Sequence, residues 1–298
     1  MVYGSQRLVA IRDAPNVRLN FDGVRLGGTI AGVRVDAFVT RPVLQRDGVF
    51  DDTQDTTRAL WGLYTTTPLG FVPGGKLDVY YFGFENTQAR FAAGTGEERR
   101  QTIGTRFFGA RAGWDWDWEA LGQFGTFAAQ DIQAWGVSTD TGYTFNAGDW
   151  KVRVGLKADT GSGDRNLNDG TLGTLNAMFP KLAYFNQAAL LGPSNVVDLQ
   201  PALSLMPTDK LKITVGYDFL WRATTADAIY TGTGAPITGT AGQPGRFTAG
   251  QLSVDLVWQL DRHIQAELGY VHLEAAKVLK AAGGHDVDFA YASATYRF

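Results

Sequence analysis

The feature that most constrains this chain is a period-2 alternation of apolar and polar residues that recurs from one end to the other. Period 2 indicates a β-strand, because successive side chains point to opposite faces. About 14 such segments follow one another, each near the roughly 9 to 11 residues that a tilted membrane strand needs. The last one, His285 to Phe298, ends on an aromatic residue, which is typical of the closing strand of an outer-membrane barrel.

Five segments show the alternation most clearly: Val33–Thr40, Trp114–Phe127, Trp150–Asp159, Leu211–Arg222 and Leu252–Leu260. Each has apolar residues on one face and mostly charged or hydroxyl residues on the other. Two segments resist this scheme. In Leu77–Phe84, aromatic residues share a face with Asp78, so the side that meets lipid stays open. Pro201 removes a ladder donor from its segment, and we expect a bulge or weak pairing there.

The connections between segments differ in length. Short turns fall at Ala31–Gly32, Gly70–Gly75, Ala112–Gly113, Asn146–Asp149, Pro207–Asp209 and Asp261–Arg262. Long connections fall at Leu44–Thr57, Thr87–Glu98, Gly163–Asn195, Thr224–Arg246 and Glu274–Gly284. Hairpins with long loops at one end only are the outer-membrane pattern, whereas a Greek-key sandwich would not sort its loops in this way.

Tryptophan placement supports a membrane barrel. Four tryptophans lie at short-turn ends of strands and three lie near long-loop ends: Trp114, Trp116, Trp150 and Trp258 in the first group, Trp61, Trp135 and Trp221 in the second. Amphipathic indole rings prefer the two headgroup levels of a bilayer, whereas a soluble core would collect them mid-strand.

Composition excludes several classes of protein. No window of the chain approaches the roughly 20 apolar residues of a transmembrane helix. The 27 basic and 30 acidic residues are spread evenly, so neither a nucleic-acid partner nor an anionic membrane surface is indicated. The chain has no cysteine, which fits passage through an oxidising periplasm. Met1–Val2 runs directly into polar sequence without a signal peptide.

No motif indicates catalysis or a cofactor. His263, His272 and His285 share no metal-ligand spacing, and no serine lies in a nucleophile elbow. The carboxylates of Asp115, Asp117 and Glu119 form the polar face opposite tryptophans rather than a catalytic pair. The loop Asp159–Asp169 is rich in oxygen ligands but matches no calcium motif, so a calcium site there stays open.

The polar strand face is therefore the candidate functional surface. In a barrel wider than about eight strands, inward side chains do not fill the interior, and a water-filled lumen opens. Because alternate residues of a strand point to opposite faces, ten charged residues are predicted to point inward and line the pore. They are Arg34, Arg106, Lys151, Arg153, Lys157, Lys212, Asp218, Arg222, Asp255 and Arg297. Whether the Gly163–Asn195 loop closes this pore stays open.

Six stretches give the chain a resemblance to a known family. They are YGSQRLVAIRDAPNVRLNFDGVR at Tyr3–Arg25, DAFVTRPV at Asp36–Val43, EERRQTIGTRFFG at Glu97–Gly109, WDWEALGQFGTF at Trp116–Phe127, AWGVSTDTGYTF at Ala134–Phe145 and LGTLNAMFPKLAYFN at Leu172–Asn186. Taken together they resemble the alginate export family of outer-membrane, porin-like channels, over nearly the whole chain.

This resemblance implies a barrel of 18 strands, a basic constriction that passes an anionic polysaccharide, and long loops that fold over or into the pore. Carried over by position, Arg153, Lys157, Arg222 and Arg297 would be pore-facing cations. The chain differs in having about 14 strands and more carboxylates in its lumen than an all-basic filter would have. It therefore looks like a shortened relative or a barrel without its first strands.

These observations predict one domain over residues 1–298: an all-β, antiparallel, up-and-down transmembrane β-barrel in the bacterial outer membrane. The expected function is a channel for anionic or sugar-like solutes, with lipid as its surroundings, no cofactor and no enzymatic activity. An outer-membrane barrel enzyme such as a lipase, or a soluble carbohydrate-binding sandwich, is the alternative. Tyr3–Ile11 and Ala290–Phe298 are expected to pair and close the wall, because exposed backbone in lipid is costly.

Overall fold

The computed structural model describes residues 1–12 and 18–298. It has 15 strands, of which 13 form one continuous wall of antiparallel neighbours. The order of the strands in the wall follows the sequence without a crossover, which is the up-and-down topology of a barrel and not the Greek-key order of a sandwich. The predicted all-β fold class is thereby confirmed.

In chain order the elements are β1 (Phe21–Ile30), β2 (Val33–Leu44), β3 (Thr53–Gln54), β4 (Arg58–Pro68), β5 (Gly75–Phe91), β6 (Gly94–Arg111), β7 (Trp114–Phe127), β8 (Gln130–Ala147), β9 (Trp150–Gly161), β10 (Thr171–Leu172), β11 (Val196–Thr208), β12 (Leu211–Arg222), β13 (Phe247–Gln259), β14 (Ile264–Ala275), α1 (Lys277–Ala281) and β15 (Val287–Tyr296). The two short strands lie outside the wall: β3 pairs with β2, and β10 runs parallel to β8. Among the described residues, no helix has the length and apolar character needed to cross a membrane.

The expected closure between Tyr3–Ile11 and Ala290–Phe298 is wrong. Within the described part of the chain, the outer edges of β1 and β15 pair with no other strand. The first of the two segments lies inside the barrel, where Val9 forms a parallel bridge with Phe179 of the long loop after β9. Val9 and Leu8 are buried there, because aromatic side chains of the wall and the loop surround them.

The predicted bounds of one long loop are also wrong. β5 and β6 are 17 and 18 residues long and continue through Thr87–Glu98 to a tight turn at Ala92–Ala93. Both strands exceed the roughly 9 to 11 residues that cross a membrane. They continue because Ala89 and Phe91 near the turn are buried, and the Phe91 ring packs edge-on against that of Phe127 at 5.1 Å. A second exception is the β7–β8 connection, which is not among the predicted turns: it is a two-residue turn, Ala128–Ala129, at the long-loop end. The remaining connections sort by length as predicted.

Alternation along the strands places the apolar faces outward. Val39, Val154 and Val215 have 56%, 54% and 39% of their surface exposed, as expected of side chains that face lipid. The structure answers the question left open for Leu77–Phe84. Tyr80 and the aromatic residues that follow it on the same face are only 2–3% exposed and point into the barrel, so the aromatic face is the inner one.

Proline affects β11 only locally. The ladder to β12 has no pairs between Leu199 and Ala202, on either side of Pro201, but the register is the same before and after this gap. The ladder to β9 continues through Pro201 without interruption. The register shift of this strand lies further on, between Leu205 and Thr208. The expected weak pairing at Pro201 is therefore found on one side of the strand, because proline has no N–H to donate.

Candidate functional site in the barrel lumen

One side of the lumen is filled by apolar side chains. The ring of Tyr3, from the segment inside the barrel, stacks on Phe38 of β2 at 5.0 Å and contacts Tyr64 of β4 at 4.9 Å. Tyr64 in turn stacks on Tyr80 of β5 at 5.5 Å. Phe179 of the long loop is fully buried against the same group. Offset aromatic contacts of this kind stabilise beyond area burial, so this side is a packed core rather than an open pore.

Arg7 ties the inner segment to the wall through buried carboxylates. Arg7 is 2% exposed, donates to the Asp159 carboxylate and lies 4.0 Å from Glu119. The Tyr80 hydroxyl donates to Glu119 at 2.6 Å, and the Arg7 guanidinium lies 4.7 Å from the Tyr184 ring centroid. Because a buried charge is stable only when it is paired, Arg7 and these two carboxylates depend on one another.

Arg106 bridges β5, β6 and β7. Its Nε donates to Asp117 at 2.6 Å and its Nη1 donates to Asp78 at 3.1 Å. The guanidinium also lies 3.9 Å from the Phe108 ring centroid. Asp78 accepts a second hydrogen bond from the Tyr64 hydroxyl at 2.5 Å. The cation predicted on β6 is therefore on the inner face, where two carboxylates neutralise it.

Arg153 has a similar arrangement on β9. Its Nε donates to Asp115 at 2.9 Å and its Nη2 donates to Asp140 at 3.0 Å. The guanidinium lies across Gly142 of β8, where a Cβ atom would stand 2.2 Å from Arg153 Cζ. Glycine is therefore required at this position for the arginine to lie flat against the wall. The charge pairs follow from the register, since residues up to 38 positions apart become neighbours across strands.

A polar cavity of about 290 Å³ opens between this part of the wall and the long loop after β9. Lys157 of β9 and Lys181 of the loop line it. The other polar lining residues include Ser138, Thr139, Gln200 and two carboxylates that pair with arginines of the wall, Asp117 and Asp140. The Lys157 ammonium donates to the Tyr184 carbonyl at 2.7 Å and lies 3.6 Å from the ring centroid of the same tyrosine. Within the described residues, the Lys181 side chain has no ion-pair partner. Ammonium, hydroxyl and amide groups and two arginine-paired carboxylates thus border one cavity.

Four of the predicted residues lie toward the short-turn end. Arg34 donates to Asp36 at 2.9 Å, and Lys151 donates to the exposed Asp209 at 2.9 Å. Lys212 is exposed on β12 and has no ion-pair partner in the described part of the chain. Arg297 is exposed at the end of the chain, and its backbone N–H donates to the His263 carbonyl at 2.8 Å.

Arg222 lies on the inner face but does not border open space. It is 1% exposed at the end of β12, beneath the loop that connects β12 to β13. Its guanidinium donates to the carbonyl oxygens of Thr240 and Gln243 at 2.6 Å each and of Gly245 at 2.5 Å. Arginine suits this role because its five donors form a rigid, always charged fork. Arg222 thus holds a long loop in place.

The wall from β11 to β14 is acidic. Asp218 is completely buried, and Asp198 of the preceding strand is 2% exposed. Asp255 of β13 accepts a hydrogen bond from the Tyr291 hydroxyl at 2.8 Å. Glu267 of β14 accepts one from Gln265 at 2.6 Å. No ion pair involves any of these four carboxylates in the described residues, in contrast to those near Arg106 and Arg153.

The external loops meet at a second group of carboxylates. Asp227 is fully buried and accepts hydrogen bonds from the Thr174 hydroxyl at 2.6 Å, the Tyr230 hydroxyl at 2.8 Å and the Asp164 N–H at 2.9 Å. Burial raises the pKa of Asp227, and burial together with the adjacent Asp227 charge raises the pKa of Asp164. These bonds fasten the β9–β11 loop to the β12–β13 loop.

The calcium question concerns the same region. Asp159 lies on β9 and faces Arg7, whereas Asp164 contacts Asp227 and Asp169 accepts the Thr171 N–H at 2.9 Å. The loop carboxylates therefore have different partners rather than a common centre. Among residues 1–12 and 18–298, no group of three acidic or histidine side chains is arranged to hold a metal ion.

Three residues that shape the lumen were missed by sequence reasoning: Arg7, Lys181 and Asp198. Arg7 lies in a stretch that the sequence predicts as a strand of the wall, and Lys181 lies in a predicted loop. Nothing in the local pattern places either of them inside the barrel. The inward position of Asp198 follows from the alternation of β11. This alternation can be seen in the sequence, although Pro201 makes the segment a weaker strand prediction.

Comparison with known proteins gives one family and several related folds. The family model described as alginate export matches residues 1–293. The crystal structure of Pseudomonas aeruginosa OccK11 (OpdR) superposes with a TM-score of 0.63 at 16% identity, covering 97% of this chain and 73% of that one. The outer membrane protein opdK from Pseudomonas aeruginosa superposes with a TM-score of 0.59 at 12% identity and the same coverage. These two similarities concern the fold alone. No curated protein matches the chain significantly.

Proposed function

The chain belongs to the alginate export family, and we propose that it is an outer-membrane channel for anionic or sugar-like solutes, an alginate-type polysaccharide among them. Family membership and the barrel fold support a channel role rather than an enzymatic one. They also support the outer membrane as its location, with lipid against the outward apolar face. We further propose that residues 1–298 act as a single barrel domain.

The polar cavity beside Lys157 and Lys181 carries the proposal about the solute. Sugar hydroxyls are bound by side chains that both donate and accept hydrogen bonds, and Ser138, Thr139 and Gln200 supply such groups. A carboxylate on the sugar would meet the two ammonium groups in a narrow, poorly screened space. The cavity therefore favours a solute that combines hydroxyl groups with negative charge.

The other charged residues contribute differently. Arg106 and Arg153 border the same side of the lumen, but their carboxylate partners cancel much of their charge. We propose that they shape the passage and guide solute hydroxyls. The anion preference would come from Lys181, which has no ion-pair partner in the described residues, and from Lys157, whose pairing with Asp159 is looser at 3.6 Å. Arg222 is engaged by loop carbonyls and is proposed to act on loop position instead of on the solute.

Planar-bilayer recording tests this proposal. The purified chain should give single-channel steps whose reversal potential in a salt gradient shows a preference for anions. Replacing both cavity lysines, in Lys157→Gln/Lys181→Gln, should remove that preference while the barrel still folds. The matched control is Lys76→Gln/Lys210→Gln, which removes the same charge from the short-turn end of the wall. Absence of channel steps would contradict the channel role, and an anion preference that survives loss of Lys157 and Lys181 would contradict the assignment of the cavity.

A further inference from the structure

Two buried carboxylates of the lumen have no hydrogen-bond donor. Asp198 of β11 is 2% exposed and Asp218 of β12 is 0% exposed. None of their four carboxylate oxygens accepts a hydrogen bond within the described residues. Native proteins satisfy almost all buried polar atoms, so four unsatisfied oxygens in one place require an explanation.

The surrounding groups do not supply a free cation to pair with Asp198 and Asp218. In the ladder, Asp198 lies directly opposite Asp159 of β9, and Asp218 lies opposite Gln251 of β13. The cations that face this region are Arg7 and Lys157, and both are engaged by Asp159, Lys157 at 3.6 Å. The Asp159 carboxylate also accepts the Tyr184 hydroxyl at 3.2 Å.

Gln251 provides a second, independent observation. It is 1% exposed, and its amide Nε2 has no hydrogen-bond partner among the described residues. Its Oε1 accepts the Asn186 amide at 2.9 Å. Asp218 and Gln251 are thus directly opposite each other on neighbouring strands. The Nε2 donor of Gln251 and both carboxylate oxygens of Asp218 have no hydrogen-bond partner among the described residues.

Asp198 and Asp218 lie beneath a short part of the long loop that follows β9. This part, residues 184–187, is called the cover. Three side chains of the wall tie it down: Lys157 donates to the Tyr184 carbonyl at 2.7 Å, Gln200 donates to the Phe185 carbonyl at 3.1 Å, and Gln251 accepts from Asn186. The Phe185 ring packs into the apolar group that contains residues of β11 and β12. The cover therefore seals the two carboxylates from the lumen.

A sealed carboxylate without a donor is unstable as an anion. Desolvation and the nearby charge of Asp159 both favour the neutral acid. Lifting the cover would hydrate the carboxylates and remove this penalty. The covered state consequently binds more protons than the uncovered state, and the two states must be linked through pH.

We infer that Asp198 and Asp218 form a proton-binding site that couples the position of the cover to pH. When the cover is closed, both side chains are carboxylic acids. When it opens, each O–H bond breaks, the two protons pass to solvent, and both side chains become carboxylates. Raising the pH therefore favours the open cover and widens the lumen beside Lys157.

Cysteine labelling tests this coupling without reference to any solute. The chain has no cysteine, so Ala188→Cys, next to the cover, creates a single reactive thiol. The modification rate by a methanethiosulfonate reagent is divided by that of Thr233→Cys on an exposed loop, which corrects for thiol ionisation. Between pH 5 and pH 8 the ratio should rise about tenfold, the effect of one pKa unit of coupling.

Matched variants identify the groups responsible. Asp198→Asn/Asp218→Asn should keep the ratio low and independent of pH, because a neutral amide replaces each acid. Asp255→Asn, which alters a lumen carboxylate that has a donor, should retain the rise. If the double variant does not fold, Asp218→Asn alone should at least halve the slope of the ratio with pH.

Three results would overturn the inference. One is a flat ratio in the otherwise native chain, and another is a rise that persists in the asparagine variants. The third is reversal of the rise at pH 8 by millimolar calcium, which would show that the pair takes a metal ion rather than protons. Because each readout is a labelling rate, a failure here is distinguishable from a failure of the channel role.

Discussion

The two sides of this lumen are built from the same kind of strand but have different contents. From β2 to β9, aromatic rings and the inner segment fill the space, and Arg7, Arg106 and Arg153 are each neutralised by carboxylates. From β11 to β14, the carboxylates of Asp198 and Asp218 have no hydrogen-bond partner among the described residues, and the buried apolar residues of these strands form a separate group with the long loops. Strand parity decides which residues point inward, whereas the loops that fold inside decide which of them face solvent.

This difference teaches where charge matters in the barrel. A cation on the filled side mainly stabilises the packing, because its field is cancelled within a few ångströms. A charge on the β11–β14 side has fewer compensating partners, and its protonation state depends on solvent access. The following predictions test this contrast, from the largest expected effect to the smallest.

The largest effect is expected at Arg7. Arg7→Ala would leave Asp159 buried without its guanidinium, which costs about 3–5 kcal/mol for a buried pair. The inner segment should then detach, and backbone hydrogen exchange of residues 3–11 should become fast. The matched control is Arg99→Ala, because Arg99 pairs with Glu97 on the surface with side chains 63% and 51% exposed. Such pairs contribute little, so equal loosening by both substitutions would contradict the role of Arg7.

The next effect concerns the outward face on both sides. Val154→Arg on β9 and Val215→Arg on β12 each place a guanidinium against lipid, at about 2–4 kcal/mol near the midplane. Thr214→Arg should be almost neutral, because Thr214 faces the lumen and contacts Ser204 at 2.9 Å. Folded fractions after dilution from urea into detergent measure the difference. Similar losses in all three variants would mean that inside and outside are misassigned.

A smaller effect is expected when the inner-face arginines Arg222 and Arg153 are compared by the stability of the β12–β13 loop. Arg222→Gln should destabilise the loop over residues 223–246 by about 1.5–3 kcal/mol, the worth of a hydrogen bond to a charged group. It should leave the reversal potential unchanged, because the guanidinium is enclosed by carbonyls. Arg153→Gln should leave that loop intact. Hydrogen exchange of the loop gives the comparison, and an unaltered loop in Arg222→Gln would be the contrary result.

The smallest effect is a pH dependence of the external loops. Because burial raises the pKa of Asp164 and Asp227, the folded loops hold their protons to higher pH than the unfolded chain does. The contribution of these two groups to the stability of the folded loops is fully present below the ordinary aspartate pKa of about 4. It is lost as the pH rises through the raised pKa values.

Asp164→Asn removes one of these charges beside Asp227. It should reduce this pH dependence and change loop stability at pH 7 by less than about 1 kcal/mol. Exchange rates of residues 223–246 at several pH values provide the measurement. Asp169→Asn, on the exposed part of the same loop, serves as the comparison and should have a smaller effect, because the Asp169 charge contributes less to the raised pKa of Asp164 than burial and Asp227 do. A larger reduction of the pH dependence in Asp169→Asn than in Asp164→Asn would refute the assignment.

The wall was predictable because a single local rule determines it. Period 2 predicts an inward position for Arg106 and Arg153, since each strand has one lipid face and one inner face, and the structure places both beside carboxylates of neighbouring strands. The same rule could not orient Leu77–Phe84, where the inner face is apolar. Tyr80 faces inward because Tyr64 and the distant Tyr3 form an aromatic group with it, and no local pattern encodes that contact.

The contents of the lumen were less predictable for the same reason. Parity predicts Arg222 as a pore-facing cation, whereas its partners in the structure are carbonyl oxygens of a loop whose path depends on tertiary packing. The extension of β5 and β6 through Thr87–Glu98 depends on Tyr230, whose hydroxyl accepts the Ala92 N–H at 3.1 Å across 138 residues. Interactions at such separation leave no periodic trace in the sequence.

Liposome swelling tests the central claim most directly. Proteoliposomes containing the chain are diluted into isotonic solutions of a uronic acid, a neutral sugar of equal size and an amino sugar. A lumen with Lys157 and Lys181 in its passage should admit the uronate fastest, the neutral sugar next and the amino sugar slowest. Swelling that is fastest with the amino sugar, or that does not exceed empty liposomes with any of the three, would contradict a channel for anionic or sugar-like solutes.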